Sequence, residues 1–411
     1  MPRPSFLHPF ARPSAGADDF LSIERGSGAV VHDREGRAYL DATASLWYCQ
    51  VGHGREEIAA AVADQLRTLD AFHCFDLFTN GPADALCDRL AALAPFAGAR
   101  VFLTDSGSEA VDTAIKLSRL RFARTGDERR HVIVGRRHAY HGTTYGGLSV
   151  TGLPANLSGW GPLVGGAGGE HRIEHDELTS AEAQFAEHGD QIAAVIAEPV
   201  IAAGGVHPPP PGYLEGLRAL CDEHGALLIL DEVVSGFGRL GRWWGAERYG
   251  VRADLITFAK GVTSGYQPLG GVLVGPAVLD VLEADDSYVL RTGHTYSGHP
   301  AACRAASANI DLIRDEQLAE RAASVIGPFF ERELEGLRAD GLVDRVRGVA
   351  GIWAVDLPPE RSAVDVRSRL LDLGVIARPL GTTTIALCPP LVITDGQLDE
   401  LIIALRTAIM A

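Results

Sequence analysis

Residues 226–234 read Ala-Leu-Leu-Ile-Leu-Asp-Glu-Val-Val, so a run of apolar side chains is followed directly by two carboxylates. Short apolar runs bounded by polar residues are typical of strands covered on both faces, as in a parallel sheet. A carboxylate at the end of such a strand is costly to bury unless a positive group meets it. Ligands of parallel α/β sheets bind at this carboxyl end of the strands. The stretch therefore predicts a buried strand that delivers Asp231 to a binding site.

The segments around this stretch alternate between helical and strand patterns. The predicted elements are helices over 82–94, 108–124 and 213–224 and strands over 100–104, 131–134, 192–198, 226–231, 255–259 and 271–274. Such alternation predicts an α/β fold with a large, mostly parallel sheet. We expect this large domain to span residues 61–300. Residues 1–60 and 301–411 are expected to form a smaller α+β domain from both chain ends.

The composition is that of an ordinary globular protein. The chain has 411 residues, of which 46% are hydrophobic and 22% charged, and this is enough to bury a large core. With 37 basic and 53 acidic residues, the net charge of -16 disfavours binding to nucleic acid or to anionic membranes. The six cysteines are scattered without metal-ligand spacing, and no signal peptide or 18-residue apolar stretch is visible. A cytoplasmic protein without a metal centre is expected.

Lysine chemistry has only two candidates in this chain, Lys116 and Lys260. Lys260 ends the apolar run 255–259, where desolvation lowers the pKa of an amine and makes it a nucleophile. Lys116 falls within a periodic helical pattern, where a solvated face is the default. The sequence therefore favours Lys260 for covalent chemistry.

Two glycine-containing segments add possible ligand contacts. Residues 104–110 read Thr-Asp-Ser-Gly-Ser-Glu-Ala and join a predicted strand to a long helix. The free amides of the helix start, together with the hydroxyls of Ser106 and Ser108, favour an anion, and Gly107 allows close backbone approach. Tyr140 lies beside a glycine turn in residues 139–144, where an aromatic ring can stack on a flat ligand.

These features together match the requirements of pyridoxal 5′-phosphate. The cofactor needs a phosphate site, a stacking ring, a buried carboxylate for its protonated ring nitrogen and a lysine that reacts with its aldehyde. Asp231 and Lys260 supply the last two, and Val233, two residues beyond Asp231, is expected to face the same side. The sequence therefore predicts an enzyme that uses this cofactor.

Other motifs in the chain compete with this interpretation. Residues 236–241 match G-x-G-x-x-G, but two carboxylates separate the glycines from the strand, and Arg-Trp-Trp follows where a helix should begin. Residues 171–175 match H-x-x-E-H, but they follow a glycine-rich run over 165–169 rather than lying on a helix. The pairs His138 with His141 and His294 with His299 lie in glycine-rich turns without a ligand set, so loop histidines near a polar pocket are expected.

Several motifs in order along nearly the whole chain resemble the class III (omega) aminotransferases of pyridoxal-phosphate fold type I. The motifs are Asp41 with Leu46-Trp47, Ser106 to Ala110, Tyr140-His141-Gly142, Glu198-Pro199, Asp231-Glu232-Val233, Gly236 to Arg239, Ala259-Lys260-Gly261, Thr295 to Pro300 and Cys388 to Leu391. The resemblance implies an amino-group transfer in two halves, from an amine donor to an oxo acid through the pyridoxamine form of the cofactor.

The resemblance also implies residue roles. Lys260 would hold the cofactor and move the proton as acid and base, and Asp231 would pair with the ring nitrogen. The other cofactor-binding residues would be Tyr140 and Val233 on the two ring faces, Gly107 and Ser108 at the phosphate, and Ser106, His141 and Glu198 around them. Thr295 would reach the phosphate from a partner subunit, which implies a homodimer with a shared active site.

The resemblance says less about the substrate than about the cofactor. Arg378 resembles an arginine that binds a substrate carboxylate in amine:pyruvate-type members, and Trp47 and Tyr48 would wall an apolar pocket for the donor. An amine or beta-alanine:pyruvate-like aminotransferase is therefore expected. Val234 stands where ornithine, acetylornithine and 4-aminobutyrate enzymes commonly have glutamine, which argues against those.

Four alternatives stay open. A diaminopelargonate (biotin-pathway) aminotransferase is suggested by residues 7–10, although such enzymes have Trp-Trp where this chain has Trp47-Tyr48. A decarboxylating enzyme or aminomutase of the same family would share every motif. From other classes, a nicotinamide dehydrogenase would depend on residues 236–241, and a non-catalytic binding protein would not need Lys260.

Overall fold

The computed structural model describes residues 4–164 and 171–411, so the glycine-rich run 165–169 lies outside the described residues. The strands of the described residues are β1 Ile23–Ser27, β2 Val30–Asp33, β3 Ala38–Asp41, β4 Arg100–Thr104, β5 Val132–Arg136, β6 Arg172–Ile173, β7 Ile192–Ala197, β8 Leu227–Asp231, β9 Leu255–Phe258, β10 Gly270–Val274, β11 Arg345–Val349, β12 Ile352–Asp356, β13 Val375–Ile376, β14 Arg378–Leu380 and β15 Thr384–Leu387.

Helices cover much of the remaining chain. Those of five or more residues are Glu56–Thr68, Gly81–Leu93, Gly107–Arg124, Tyr145–Val150, Thr179–His188, Tyr213–His224, Gly245–Tyr249, Pro276–Leu282, Pro300–Asp315, Gly327–Ala339, Ala363–Asp372 and Asp395–Met410. Shorter helical turns are Ala17–Asp19, Ala44–Trp47, Pro154–Leu157, Lys260–Val262 and Leu318–Arg321, with a π-helical turn at Ala322–Ile326. No helix among the described residues combines the length and apolar character needed to cross a membrane.

The central feature is a seven-stranded sheet in the order β4-β10-β9-β8-β7-β5-β6. Its neighbouring strands are parallel except at β10, which is antiparallel to both β4 and β9. Every residue of β7, β8, β9 and β10 is buried, which explains their continuous apolar character. The prediction of an α/β fold with a mostly parallel sheet is confirmed.

Two smaller sheets are built from the chain ends. The first has the order β1-β2-β3-β13, and the parallel pairing of β3 with β13 joins the N-terminal strands to the C-terminal part of the chain. The second is antiparallel and has the order β11-β12-β15-β14. The proposed boundaries at residues 60 and 300 stay a prediction.

The structure differs from the sequence-based elements at one long helix. The sequence pattern predicts a continuous helix from Gln317 to Leu337. The chain instead forms a short helix, a π-helical turn and then the helix Gly327–Ala339. Pro328 has no amide hydrogen to donate, so the regular hydrogen-bond ladder cannot pass through this position. Strands β6 and β11 and the helix Thr179–His188 were also not anticipated.

Candidate active site

Asp231 is buried at the carboxyl end of β8, as expected, and its carboxylate is held from several sides. Its Oδ1 accepts hydrogen bonds from the Thr257 hydroxyl at 3.0 Å and from the Val233 amide at 3.1 Å. Thr257 is the residue opposite Asp231 in the parallel pairing of β8 with β9. Adjacent strands therefore fix the carboxylate before any ligand binds.

His141 completes the shell around Asp231. Its Nδ1 lies 2.7 Å from Oδ2 of Asp231, and its side chain is fully buried. The second ring nitrogen, Nε2, has no hydrogen-bond partner among the described residues. A histidine bonded in this way fixes the orientation of the carboxylate, so His141 acts on a ligand through Asp231.

Lys260 begins a tight turn directly after β9. Its φ of 45° lies in the left-handed region, and the amide nitrogen of Asn309 donates to the carbonyls of Gly261 and Val262 at 2.8 and 2.9 Å. Burial lowers the pKa of Lys260, while the charges of Asp231 and Glu198 raise it. The side chain makes no hydrogen bond or ion pair with the described residues, so its amine is free to react.

The start of helix Gly107–Arg124 faces the same space. Ser106 caps the helix, because its hydroxyl accepts from the Glu109 amide at 3.2 Å. The amides of Gly107 and Ser108 lie in the first turn, where no helical carbonyl can accept from them. A Cβ on Gly107 would lie 3.0 Å from a methyl group of Val233. The helix start thus lies close to the residue that follows Asp231, and its free amides favour an anion.

Glu198 follows β7 and supports the loop that carries Tyr140. Its carboxylate accepts from the Tyr140 amide at 3.0 Å and from the Ala202 amide at 3.0 Å. Burial raises the pKa of Glu198, the His141 charge lowers it and the Asp231 charge raises it. Tyr140 is half-buried, and burial also raises the pKa of its phenol.

These residues enclose a cavity of about 140 Å³. Its lining residues are Ser106, Gly107, Ser108, Val111, Tyr140, His141, Gly142, Glu198, Asp231, Val233, Val234, Ala259 and Lys260. A desolvated amine, a buried carboxylate, free helix amides and an aromatic ring thus share one enclosed space. This donor set fits the aldehyde, ring nitrogen, phosphate and ring face of pyridoxal 5′-phosphate.

None of the three residues predicted to bind substrate is in the lining of this cavity, but Arg378 and Trp47 lie together. The Arg378 guanidinium stacks over the Trp47 ring at 5.3 Å, and its charge acts on Tyr140. The Nε of Arg378 and the Nε1 of Trp47 are buried without hydrogen-bond partners among the described residues. Tyr48 lies close to Gly265, where a Cβ would meet the tyrosine ring at 2.4 Å.

Thr295 is the predicted cofactor-binding residue that the cavity does not include. Its side chain is exposed on the surface of its own chain. Phe75 lies against Gly293 and Cys74 against Gly298, so the segment around Thr295 packs on the segment 72–78. Thr295 therefore does not line the Lys260 cavity of its own chain.

Thr257 and Asn309 support the site and were not anticipated from the sequence, whereas Gly142 belongs to the motif Tyr140-His141-Gly142. Thr257 and Asn309 hold the Asp231 carboxylate and the Lys260 turn, and Gly142, at φ 103°, lets its loop approach Ser108. For Thr257 the sequence did hold a signal, because it is a polar residue inside the apolar run 255–259. Nothing in the sequence distinguishes Asn309, since it depends on the packing of helix Pro300–Asp315.

The competing motifs have other roles in the structure. Within residues 236–241, Phe237 and Arg239 are fully buried, and a Cβ on Gly241 would lie 2.7 Å from Ala323. The glycines are therefore packed against the C-terminal part of the chain and do not open a phosphate-binding helix. Residues 171–175 form β6 and a loop, and the Nδ1 of His171 lies 3.2 Å from Gln184.

Comparisons with known proteins agree with this geometry. The family model "Aminotransferase class-III" matches residues 13–409. A putrescine–pyruvate aminotransferase of Pseudomonas aeruginosa is 36% identical over 93% of this chain and 89% of its own.

Two solved structures are also similar. An (S)-enantioselective omega-transaminase from Thermomicrobium roseum has a TM-score of 0.91 and 36% identity, with coverage of 98% of this chain and 95% of that one. An omega-transaminase from Pseudomonas jessenii in complex with PMP has a TM-score of 0.93 and 30% identity, with coverage of 98% and 95%. The chain shares the fold of these transaminases, and it belongs to the class III aminotransferase family.

Proposed function

We propose that this aminotransferase moves an amino group from a primary amine or omega-amino acid to an oxo acid such as pyruvate, with pyridoxal 5′-phosphate as its cofactor. The observation that carries the proposal is the desolvated Lys260 in one cavity with Asp231 and the free amides of Gly107 and Ser108. The similar transaminases that name putrescine, pyruvate and PMP support the choice of substrates and cofactor.

The cavity residues would divide the binding of the cofactor among them. The phosphate would accept from the amides of Gly107 and Ser108, and the ring would lie between Val233 and Tyr140. Asp231, fixed by His141 and Thr257, would face the ring nitrogen and keep it protonated. When bound, the cofactor supplies an electron sink for the bond-breaking step at the substrate carbon.

Lys260 would be the group that moves the proton. Because burial lowers its pKa, more of its amine is neutral at a given pH than for an exposed lysine. The neutral amine is the form that would hold the cofactor through its aldehyde and that, once the substrate amine has displaced it, would accept the proton from the substrate carbon. Lys116 cannot replace it, since its ammonium donates to the Thr292 hydroxyl at 2.6 Å on an exposed surface.

Arg378 would recognise the carboxylate of the oxo acid. Its guanidinium has no acidic partner among the described residues, which leaves its donor fork for a ligand. Trp47 and Tyr48 would contact the apolar part of the donor. Thr295, exposed on its own chain, would reach the phosphate in a homodimer with shared active sites.

The experiment follows the visible absorbance of the purified holoenzyme while putrescine, β-alanine or 4-aminobutyrate is added without an acceptor. We expect some donors to bleach the band and pyruvate to restore it with stoichiometric formation of alanine. Release of carbon dioxide, or donor isomerisation without alanine, would instead favour the decarboxylase or aminomutase alternative.

The two-lysine composition provides an internal control. After borohydride reduction of the holoenzyme, peptide mass analysis should find the cofactor mass on the peptide with Lys260 and not on the one with Lys116. Lys260→Ala should lose the band and transaminase activity, while Lys116→Ala should retain both. A colourless protein that does not take up added pyridoxal 5′-phosphate would overturn the cofactor assignment.

A further inference from the structure

We propose that His138, His175 and His207 form a binding site for a transition-metal cation at the carboxyl edge of the large sheet. The three histidines follow β5, β6 and β7, and none of them lines the cofactor cavity. The site is therefore separate from the transaminase chemistry.

The spacing of the three rings suits one shared ion. The ring centroids of His175 lie 4.9 Å from those of both His138 and His207, and the last two are 5.7 Å apart. A tetrahedral ion with metal–nitrogen distances of about 2.0–2.1 Å needs centroids about 5 Å apart. The His175 ring meets the other two edge to face, and rotation about χ2, a broad torsion, would turn the three nitrogens toward a common centre.

Each ring has a nitrogen available for coordination. The Nδ1 of His175 is buried without a hydrogen-bond partner among the described residues. The Nε2 of His207 lies 3.2 Å from the Gly204 carbonyl, which can only accept, so the proton is on Nε2 and the free lone pair on Nδ1. His138 is exposed and provides an entry path.

An acidic side chain adjoins the rings. The ligand atoms of Glu174, His175 and Asp176 all lie within 4.8 Å of one another. Glu174 pairs with Arg137 at 2.7 Å, whereas Asp176 is exposed and lies 3.9 Å from the Nδ1 of His175. We therefore take Asp176, the chain neighbour of His175, as the candidate fourth ligand.

The nearby positive charges are already engaged. The guanidinium of Arg347 donates to the Gly205 carbonyl at 2.8 Å and pairs with Asp356 at 2.5 Å. Arg136 is buried and donates to the Glu198 carbonyl. Both guanidinium groups therefore already have oxygen acceptors within the protein.

The backbone holds the three loops in register. Ile201 and His207 exchange two backbone hydrogen bonds of 2.8 and 3.1 Å, and a Cβ on Gly204 would lie 1.7 Å from the His138 carbonyl oxygen. Such close approach fixes the loops before an ion binds. Imidazole with one carboxylate is a ligand set for Zn²⁺, Ni²⁺ or Cu²⁺, whereas Mg²⁺ and Ca²⁺ prefer oxygen ligands.

The test is titration calorimetry of untagged, chelator-treated holoenzyme with zinc chloride, after removal of unbound cofactor. We expect one zinc ion per chain, and a loss of affinity of about tenfold or more in each of His138→Ala and His175→Ala. His171→Ala, four residues from His175, is the matched control and should bind as the wild type does. Cobalt(II) should give the visible bands of a four-coordinate site in the wild type and in His171→Ala, but not in His138→Ala or His175→Ala.

Wild-type zinc affinity in both His138→Ala and His175→Ala would overturn the proposal, as would a wild-type Kd above about 1 mM. Loss of binding in His171→Ala alone would assign the ion to the H-x-x-E-H segment and would also contradict the site. Because the His138 side chain is exposed, its variant should fold even if replacement of the more buried His175 disturbs the loop.

Discussion

Arg378 brings a positive charge close to the candidate active site without an acidic partner among the described residues. Burial lowers the pKa of Arg378. The pKa of a guanidinium is nevertheless so far above neutral pH that the side chain stays charged. Its guanidinium lies over the Trp47 ring, and its Nε has no hydrogen-bond partner among the described residues. A carboxylate ligand would therefore meet donors that have no other partner.

We predict that Arg378→Ala raises the KM for pyruvate by about 10- to 100-fold, as expected for the loss of charge-assisted hydrogen bonds of about 1.5–3 kcal/mol. The KM for putrescine, which lacks a carboxylate, should change little. Half-reactions measured separately by cofactor absorbance check both values. Arg378→Lys keeps the positive charge but loses the paired N–H donors of the guanidinium. Its KM for pyruvate should therefore lie between those of the wild type and Arg378→Ala. An equal effect on both substrates would contradict the assignment.

At the level of elements, Glu232 connects the strand that carries Asp231 to a helix start. Its buried carboxylate accepts from the amides of Gly245 and Ala246 at 2.6 and 2.7 Å and from the Ser235 hydroxyl at 2.9 Å. Burial raises the pKa of Glu232 to about 7, although these hydrogen bonds act to lower it. The folded chain therefore holds a proton here that the unfolded chain releases near pH 4.5.

The sign of the pH dependence follows from this difference. Between pH 4.5 and about 7 the folded state binds more protons at Glu232. Its contribution to stability is therefore full below pH 4.5 and is lost as the pH rises through 7. We predict that the unfolding free energy of the wild type relative to Glu232→Gln falls by about 1–3 kcal/mol from pH 5 to 8. Urea unfolding at several pH values measures it.

The exposed Glu215→Gln variant is the control and should track the wild type across the pH range. A constant difference between the wild type and Glu232→Gln would mean that Glu232 does not titrate in this window. Because a glutamine side chain has a single acceptor oxygen, it could not accept from both amides in the same way. The Glu232→Gln variant should therefore be less stable at every pH, and only the pH trend tests the prediction.

The elements of the large sheet could be predicted because their signals are local. The strands β7, β8 and β9 could be recognised from runs of consecutive apolar residues alone. Asp231 and Lys260 stood out as the polar residues at the ends of two of those runs. β11 was missed because its residues are largely half-buried and alternate with charges. The cluster of His138, His175 and His207 was missed because only the sheet topology brings three distant loops together.

At the scale of the whole molecule, one face of the chain carries exposed apolar side chains next to Thr295. Phe72, Phe75, Leu77 and Phe78 are all more than 40% exposed, and so is Tyr296 beside Thr295. A patch of this kind on a folded chain marks an interaction surface. Since Thr295 is exposed here and absent from the cavity of its own chain, a second copy that covers this face could receive Thr295 at its cofactor phosphate.

A mixed dimer tests this arrangement. We predict that Lys260→Ala and Thr295→Glu chains are each inactive as homodimers, because one lacks the reactive amine and the other places a carboxylate against the phosphate. If Thr295 acts across the interface, the mixed dimer has one doubly altered site and one intact site, so it should show about half the wild-type activity. Co-expression with two different tags and sequential affinity purification isolates it. A mixed dimer as inactive as its parents would mean that Thr295 serves its own chain.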